Sequence, residues 1–375
     1  MRRPPFFLIF ILVIVLLLIV FFVVECPRGE RQAPRPARKS LEQVTAEAFA
    51  ACGLGVEPLQ EFKDSKNAFH LKVTLPLAKY LEIEAALEKD IRRIPSVILK
   101  KEQERKNDTI FFSWQIDTQD KERLDILFTC RPESSKKESG ARPASSAKKA
   151  AIIMDDLGYS LDIVRSLIAL DRPLTAAVLP YAPYTRETAE LARQGGLEVM
   201  LHLPLESLER RSPAGGLPAG MIRSGMDALD IKKDVEACLA QVPYCQGVNN
   251  HTGSKITEDF SMMHSILEVI KAKKLYFVDS RTSKNSVAFE TAVALDIPSA
   301  ARDVFLDVEP DDGAIKAKIE ELFRISQKRG EAVGICHPSQ KTLAALKTYL
   351  PLADHYGVEL VLVSAIVKRP GRPQP

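Results

Sequence analysis

Several motif classes are missing from this chain. None of its six cysteines belongs to a C-x-x-C pair, which removes cysteine-ligated zinc sites and thioredoxin-type redox chemistry. There is no G-x-S-x-G, no G-x-x-x-x-G-K-[ST] and no H-E-x-x-H, so a serine-hydrolase elbow, a phosphate-cradling P-loop and a zincin helix are unsupported. An excess of one charge sign is missing too: 52 Lys and Arg against 49 Asp and Glu leave a net charge of +3. Nucleic-acid-binding domains show a concentrated basic surface, and no nucleic-acid partner is expected here. Cys238 and Cys245 are close enough in sequence to pair in an oxidising compartment, and read equally well as two small buried hydrophobes.

What is present begins with an uninterrupted apolar run from Phe6 to Val24. As a helix it reaches roughly 28 Å, enough for a ~30 Å hydrocarbon core. Arg2 and Arg3 before it favour a cytoplasmic N-terminus, with Arg28 and Arg31 on the far side weighing against. No small-x-small site follows, so residues 1–26 read as an uncleaved membrane anchor with the rest of the chain on the extracytoplasmic side. Residues 27–39, basic and Pro-containing, read as a tether.

Residues 40–131 read as a small α+β domain, with helices over 41–51 and 77–89 and strands over 70–75, 96–101, 109–116 and 125–130. His70 and the single Trp, Trp114, read there as packing residues. Residues 132–149 have no large apolar side chain and read as a flexible linker between independent folded parts. From 150 to 370, apolar strands near 150–154, 174–179, 197–201, 246–250, 275–279, 302–306, 331–335 and 358–363 alternate with amphipathic helical stretches. Such alternation predicts βαβ units, a parallel sheet and right-handed crossovers. Seven or eight units suit a distorted β/α barrel better than an open sheet, because every strand end then faces one mouth.

Three apolar runs end abruptly in reactive groups: Ala151-Ile-Ile-Met154 in Asp155-Asp156, Val199-Met-Leu201 in His202, and Gly247-Val-Asn-Asn250 in His251. Active sites of α/β folds collect at the carboxyl ends of strands. Adjacent strand residues normally face opposite ways, but at the end of a strand the alternation breaks and both acids can reach the mouth. One of them capping the helix that begins near Tyr159 or Ser160 is the competing reading. Two His and an Asp make a ligand set for a divalent ion, with a position left open for water. His337 ends a further strand, as ligand or general acid, and Glu206, Asp279, Arg302 and Asp307 lie at strand ends where they can orient ligands or substrate. His264 in mid-helix and His355 before the last strand read as structural.

Taken together, Ile153-Met-Asp-Asp-Leu-Gly158, His202-Leu-Pro-Leu-Glu206, Asn249-Asn-His-Thr-Gly-Ser254, Asp279-Ser-Arg-Thr282 and Gly334-Ile-Cys-His-Pro338 resemble the divergent polysaccharide deacetylase family over about Ala150 to Val367. The resemblance implies a distorted β/α barrel and metal-dependent removal of acetyl groups from an N-acetylated envelope polysaccharide. It further implies a zinc-like divalent ion on Asp156, His202 and His251, with Asp155 as base and His337 as general acid. Contacts to substrate or behind the ligands are expected of Glu206, Asn250, Asp279 and Arg302. The better-known deacetylases take both His ligands from one H-x-x-x-H-type segment, whereas here they come from two strands. That departure motivates an alternative: a catalytically inactive, membrane-tethered glycan-binding or envelope-organising protein. A glycosidase is disfavoured, because adjacent Asp155 and Asp156 leave too little of the ~5–9.5 Å carboxyl separation it needs.

Overall fold

The computed structural model describes residues 40–54, 62–63, 69–94, 97–107, 109–119, 122–131, 148–209 and 218–367. The anchor, the tether and nearly all of the linker lie outside the described residues. No helix among the described residues is long and apolar enough to cross a membrane.

The α+β domain runs α1 (Leu41–Ala51), β1 (Phe62–Lys63), β2 (Phe69–Pro76), α2 (Leu77–Ile91), β3 (Ile98–Lys106), β4 (Thr109–Asp117) and β5 (Arg123–Arg131). Its sheet order is β1-β2-β5-β4-β3. Alternation along β4 and β5 sends Phe112, Trp114, Leu124, Ile126 and Phe128 into a core with Tyr80, Ile83 and Leu87 of α2. Ser40 starts α1 with a capping box to Gln43. Trp114 is core, as expected, and its Nε1 donates to Tyr80 Oη at 3.2 Å. His70 instead sits partly exposed, 3.3 Å from Asp125.

The second part runs β6 (Lys148–Leu157), α3 (Leu161–Ile168), β7 (Thr175–Val178), α4 (Thr185–Gln194), β8 (Glu198–Leu205), α5 (Ala228–Gln241), β9 (Gly247–Thr252), α6 (Phe260–Ala272), β10 (Tyr276–Asp279), α7 (Ala288–Ala294), β11 (Ser299–Ala301), β12 (Val304–Phe305), α8 (Asp312–Arg329), β13 (Glu331–Cys336), α9 (Gln340–Tyr349), α10 (Leu352–His355) and β14 (Val358–Leu360). Every pair in its sheet is parallel, in the order β11-β10-β9-β8-β7-β6-β13-β12, with β14 on β6. The architecture is a parallel-strand α/β half-barrel. The two edge strands are halves of one extended segment: Arg302 N donates to Asp279 O of β10 and Asp303 N to Val333 O of β13, at 2.9 Å each. One stretch of chain thus spans from edge to edge. Of the expected strand at 302–306 only β12 forms, and β11 precedes it as a separate strand on the other side of this changeover.

Strands buried on both faces read as continuous apolar runs, and alternation divides them between two cores. Ala151, Ile153, Ala177, Met200, Val278, Val333 and Ile335 form an inner cluster, while Ile152, Met154, Ala176, Val199, Leu201 and Val248 pack with the helices. Two expectations change here. β6 begins at Lys148, so the barrel starts inside the expected linker. The two parts are also packed together: Phe260 of α6 sits 4.8 Å from the Phe112 ring and 5.8 Å from Tyr80, and belongs with Val287 to the core of the α+β domain. A large apolar side chain at the start of a helix gains more by entering a neighbouring core than by facing water.

Cys238 and Cys245 are free thiols. Each donates to a different carbonyl, Cys238 to Gly220 O at 3.4 Å and Cys245 to Gly247 O at 3.0 Å. Burial pushes their pKa values up to about 12 and about 11. They behave as small buried hydrophobes.

Candidate metal centre

The inner rows of the half-barrel deliver the reactive groups. On β6, Ala151 and Ile153 face inward and Asp155 is next in step; on β8, Met200 is followed by His202; on β13, Val333 and Ile335 are followed by His337. β8 and β9 are neighbours in register, with His202 beside Asn249 and Pro204 beside His251. Two histidines on different strands therefore meet because the strands are adjacent. Asp156 has the wrong parity. It reaches the mouth because the β6–β7 register shifts between Met154 and Leu157 and its own φ is 54°. Asp is among the few residues that enter the left-handed region readily. Neither acid caps α3, whose N-cap Ser160 makes no side-chain capping bond.

Three donor atoms converge. Asp156 Oδ1 lies 3.1 Å from His202 Nε2 and 2.9 Å from His251 Nδ1, and the two ring nitrogens are 3.2 Å apart. Asp156 Oδ1 is buried and has no hydrogen-bond partner. A tetrahedral zinc ion with bonds of ~2.0–2.1 Å needs donors roughly 3.3 Å apart, so the triangle fits such an ion. Its tautomers fit as well. Asn249 Nδ2 donates to Asp155 Oδ1 at 2.8 Å, which turns Asn249 Oδ1 toward His202 Nδ1 at 2.8 Å. A proton on Nδ1 leaves the lone pair of Nε2 aimed into the cluster. These are the described residues able to hold a metal ion.

The two acids have opposite electrostatics. Burial is the main influence on Asp155 and raises its pKa, against the lowering effects of His202 and the Asn249 hydrogen bond. Burial acts on Asp156 in the same direction, but the two imidazoles beside it hold its carboxyl well below the usual range. Paired groups pushed apart in this way divide acid and base roles. His337 Nδ1 lies 3.2 Å from Asp307 Oδ1, while Asp307 Oδ2 accepts from His337 N at 2.7 Å and Thr342 Oγ1 at 2.9 Å. Burial would lower the His337 pKa, but the bond to Asp307 and the charge of Asp156 raise it above its ordinary value. A cleft of about 430 Å³ opens over the cluster, lined by Asp156, Tyr159, Leu179, His251, His337 and Pro338.

Of the remaining expected residues, Arg302 donates to Ser280 O at 2.7 Å and Arg281 O at 2.9 Å, bracing the turn beside Asn249. Asn250, Asp279 and Glu206 hold loops around the mouth. Asn250 Oδ1 accepts from Ser280 N, Asp279 accepts from Arg281 N and Ser286 Oγ, and Glu206 clamps Ser224 and Lys255. The residue passed over was Asn249, which joins the buried acid to the buried histidine. Its signal was present: Asn249 and His251 are two apart on one strand and share a face, whereas Asn250 faces away.

The parallel-strand half-barrel, with an Asp/His/His group able to hold a metal ion at the carboxyl ends of its strands, is a deacetylase-like α/β fold. The sequence pattern of the divergent polysaccharide deacetylases matches residues 152–367, and the chain belongs to that family. It is 31% identical over 201 residues to the uncharacterized protein YibQ of Escherichia coli K12, a match covering 54% of this chain and 62% of that protein. The chain thus covers less than two-thirds of that relative. An uncharacterized protein of Haemophilus influenzae is also 31% identical, over 202 residues, 54% of this chain and 71% of its own length. Among solved structures, the uncharacterized protein ATU2773 of Agrobacterium tumefaciens C58 aligns with a TM-score of 0.56 at 25% identity, covering 60% of this chain and 92% of that one.

Proposed function

We propose that this protein is a metal-dependent hydrolase of the amide C–N bond that removes acetyl groups from an N-acetylated envelope polysaccharide. In this reading residues 1–26 tether it to a membrane, with the barrel on the extracytoplasmic side. The observation that carries the chemistry is the convergence of Asp156 Oδ1, His202 Nε2 and His251 Nδ1 within 2.9–3.2 Å, on a buried carboxylate oxygen without a hydrogen bond. Family membership and the apolar run from Phe6 to Val24 support the substrate class and the location.

Asp156, His202 and His251 would hold the ion, and their nitrogen and oxygen donors suit zinc. Such an ion, when bound, supplies Lewis-acid polarisation of a carbonyl and acidifies water. The chain's own residues do the rest. Asp155 takes the proton of the water that attacks the acetamide carbon, and its buried position with a raised pKa suits a base working near neutrality. His337, held in its protonated form by Asp307, gives its proton to the departing amine. Asn249 fixes Asp155 and His202 relative to each other, so the base and the ligand keep one geometry.

The test is acetate release from N-acetylated glycans by the purified protein, with metal content measured on the same sample. Release that is abolished by a chelator and restored by Zn²⁺ is expected. A stoichiometric bound metal with no acetate released from any N-acetylated polysaccharide would replace this reading by the glycan-binding one.

A further inference from the structure

The α+β domain and the barrel share a junction that leads to the metal centre. Gln103 of β3 reaches across twice: its Oε1 accepts from Phe260 N at 2.8 Å and its Nε2 donates to Glu258 O at 3.0 Å. It thereby satisfies an orphan amide at the start of α6 from the other domain. Two residues along, on the same face of β3, Arg105 donates to the Ser286 carbonyl oxygen and, at 3.2 Å, to Glu290 Oε1. The Arg105 and Glu290 side chains are each only 11% exposed, so this pair is largely desolvated.

From Ser286 the contacts run inward through buried groups. Ser286 Oγ donates to Asp279 Oδ2 at 2.8 Å, and Asp279 Oδ1 accepts from Arg281 N at 2.8 Å. Ser280, between Asp279 and Arg281, accepts at its Oγ from Asn249 Nδ2 at 3.3 Å. Asn249 is the residue that bonds both Asp155 and His202. Ser286, Asp279 and Asn249 are fully buried and Ser280 nearly so, which leaves little water to relax the chain of contacts.

We propose that the α+β domain is a positioning module for the metal centre, acting through Arg105, which fixes Ser286 and with it the Asp279–Arg281 turn that orients Asn249. The proposal rests on reading Asp156, His202 and His251 as metal ligands. It gives residues 40–131 a task, and it explains why the barrel inserts Phe260 and Val287 into the core of that domain.

Two measurements on the full chain test it. In the first, Zn²⁺ affinity is compared for Arg105→Ala, Ser286→Ala and the double variant. Each single change is expected to weaken binding roughly 3- to 30-fold, the range for residues that modulate a site through contacts. The double variant should bind no worse than the weaker single, because both changes cut one route. Arg105→Lys should recover most of the loss, since an ammonium still reaches the Ser286 carbonyl. Wild-type affinity in a folded Arg105→Ala protein, or losses that add in the double variant, would overturn the proposal.

The second measurement is amide hydrogen exchange without added metal. Arg105→Ala should speed exchange in residues 279–286 and also at the end of β9, residues 247–252. Faster exchange confined to β3 and residues 286–290 would mean local undocking and would overturn the route. A wild-type protein that binds no Zn²⁺ would refute the metal reading alone, and exchange would still decide the role of Arg105.

Discussion

The two folded parts each hold a histidine–aspartate pair of nearly the same length. In the α+β domain His70 Nδ1 lies 3.3 Å from Asp125 Oδ2, and Arg123 also pairs with Asp125 at 3.2 Å. In the barrel His337 Nδ1 lies 3.2 Å from Asp307 Oδ1. The first pair belongs to a polar sheet face where both side chains are about a quarter exposed, and such pairs contribute little. The second has an aspartate only 4% exposed, with its other oxygen committed to a backbone amide and to Thr342. It also stands at the end of an inward row, with its ring against Phe305 and Asp156 Oδ2 4.0 Å from its Nε2. The separation of a pair says little about its chemistry. What matters is whether the strands deliver it, with a buried aspartate behind and a histidine open to the cleft, beside other groups that need it.

Four changes in the barrel, two of them set against a control in the α+β domain, would break or sharpen that contrast. The largest effect is expected from His202→Ala, which removes a ligand at the centre of the buried cluster. Zinc affinity should fall by more than the ~100-fold expected for losing a hydrogen-bond partner of a ligand, whereas His70→Ala should leave it unchanged; isothermal titration of both proteins decides. Asp155→Asn comes next. Metal content should persist while acetate release drops by about 10²–10⁴, the range for losing a general base, and metal loss equal to that of His202→Ala would contradict the division of roles.

Asp307→Asn should act more gently, through proton affinity. The Asp307 hydrogen bond helps raise the His337 pKa, and an acid catalyst works only while protonated. Without that carboxylate the basic limb of the pH–rate profile should move to lower pH; a limb that stays in place would exclude His337 as the acid. Asp125→Asn beside His70 should not move it at all. Glu206→Gln should have the smallest effect. Its bonds to Lys255 and to Ser224 hold the Glu206 pKa down to about 2. A depressed carboxylate adds stability above its unfolded pKa, near 4.3, and loses it as pH falls toward 2. With a side chain 27% exposed, the difference at pH 7 should be about 1 kcal/mol or less in a denaturant titration, and it should fade as the pH falls through about 2.

Most of the barrel was legible in the sequence because its strands are short apolar runs with polar ends and its helices are amphipathic. The expected strand over 331–335 and the observed β13 agree to within a residue, and the expected helix over 41–51 coincides with α1. The short strands β1 and β11 were beyond reach, since two or three residues carry no period, while β12 falls inside the expected 302–306. At the mouth, the abrupt ends of the apolar runs announced Asp155, Asp156, His202, His251 and His337, and parity along β9 held the information that favours Asn249 over Asn250. The docking of the two domains was not legible. Phe260 and Val287 look like ordinary apolar residues near helix starts, and only the assembled fold shows that the core they complete lies more than a hundred residues earlier in the chain.

The left-handed backbone at Asp156 also restricts which amino acids evolution can try there. A site asking only for a metal ligand would accept Asp, Glu, His or Cys. A position at φ 54° favours Gly, Asn, Asp and His over other side chains. Asp and His meet both demands, and of the two only Asp brings a negative charge; Asn keeps the turn but not the anion, and Gly keeps the turn and supplies no ligand. If Asp156 is a metal ligand, the backbone at this position favours the same residue that coordination asks for.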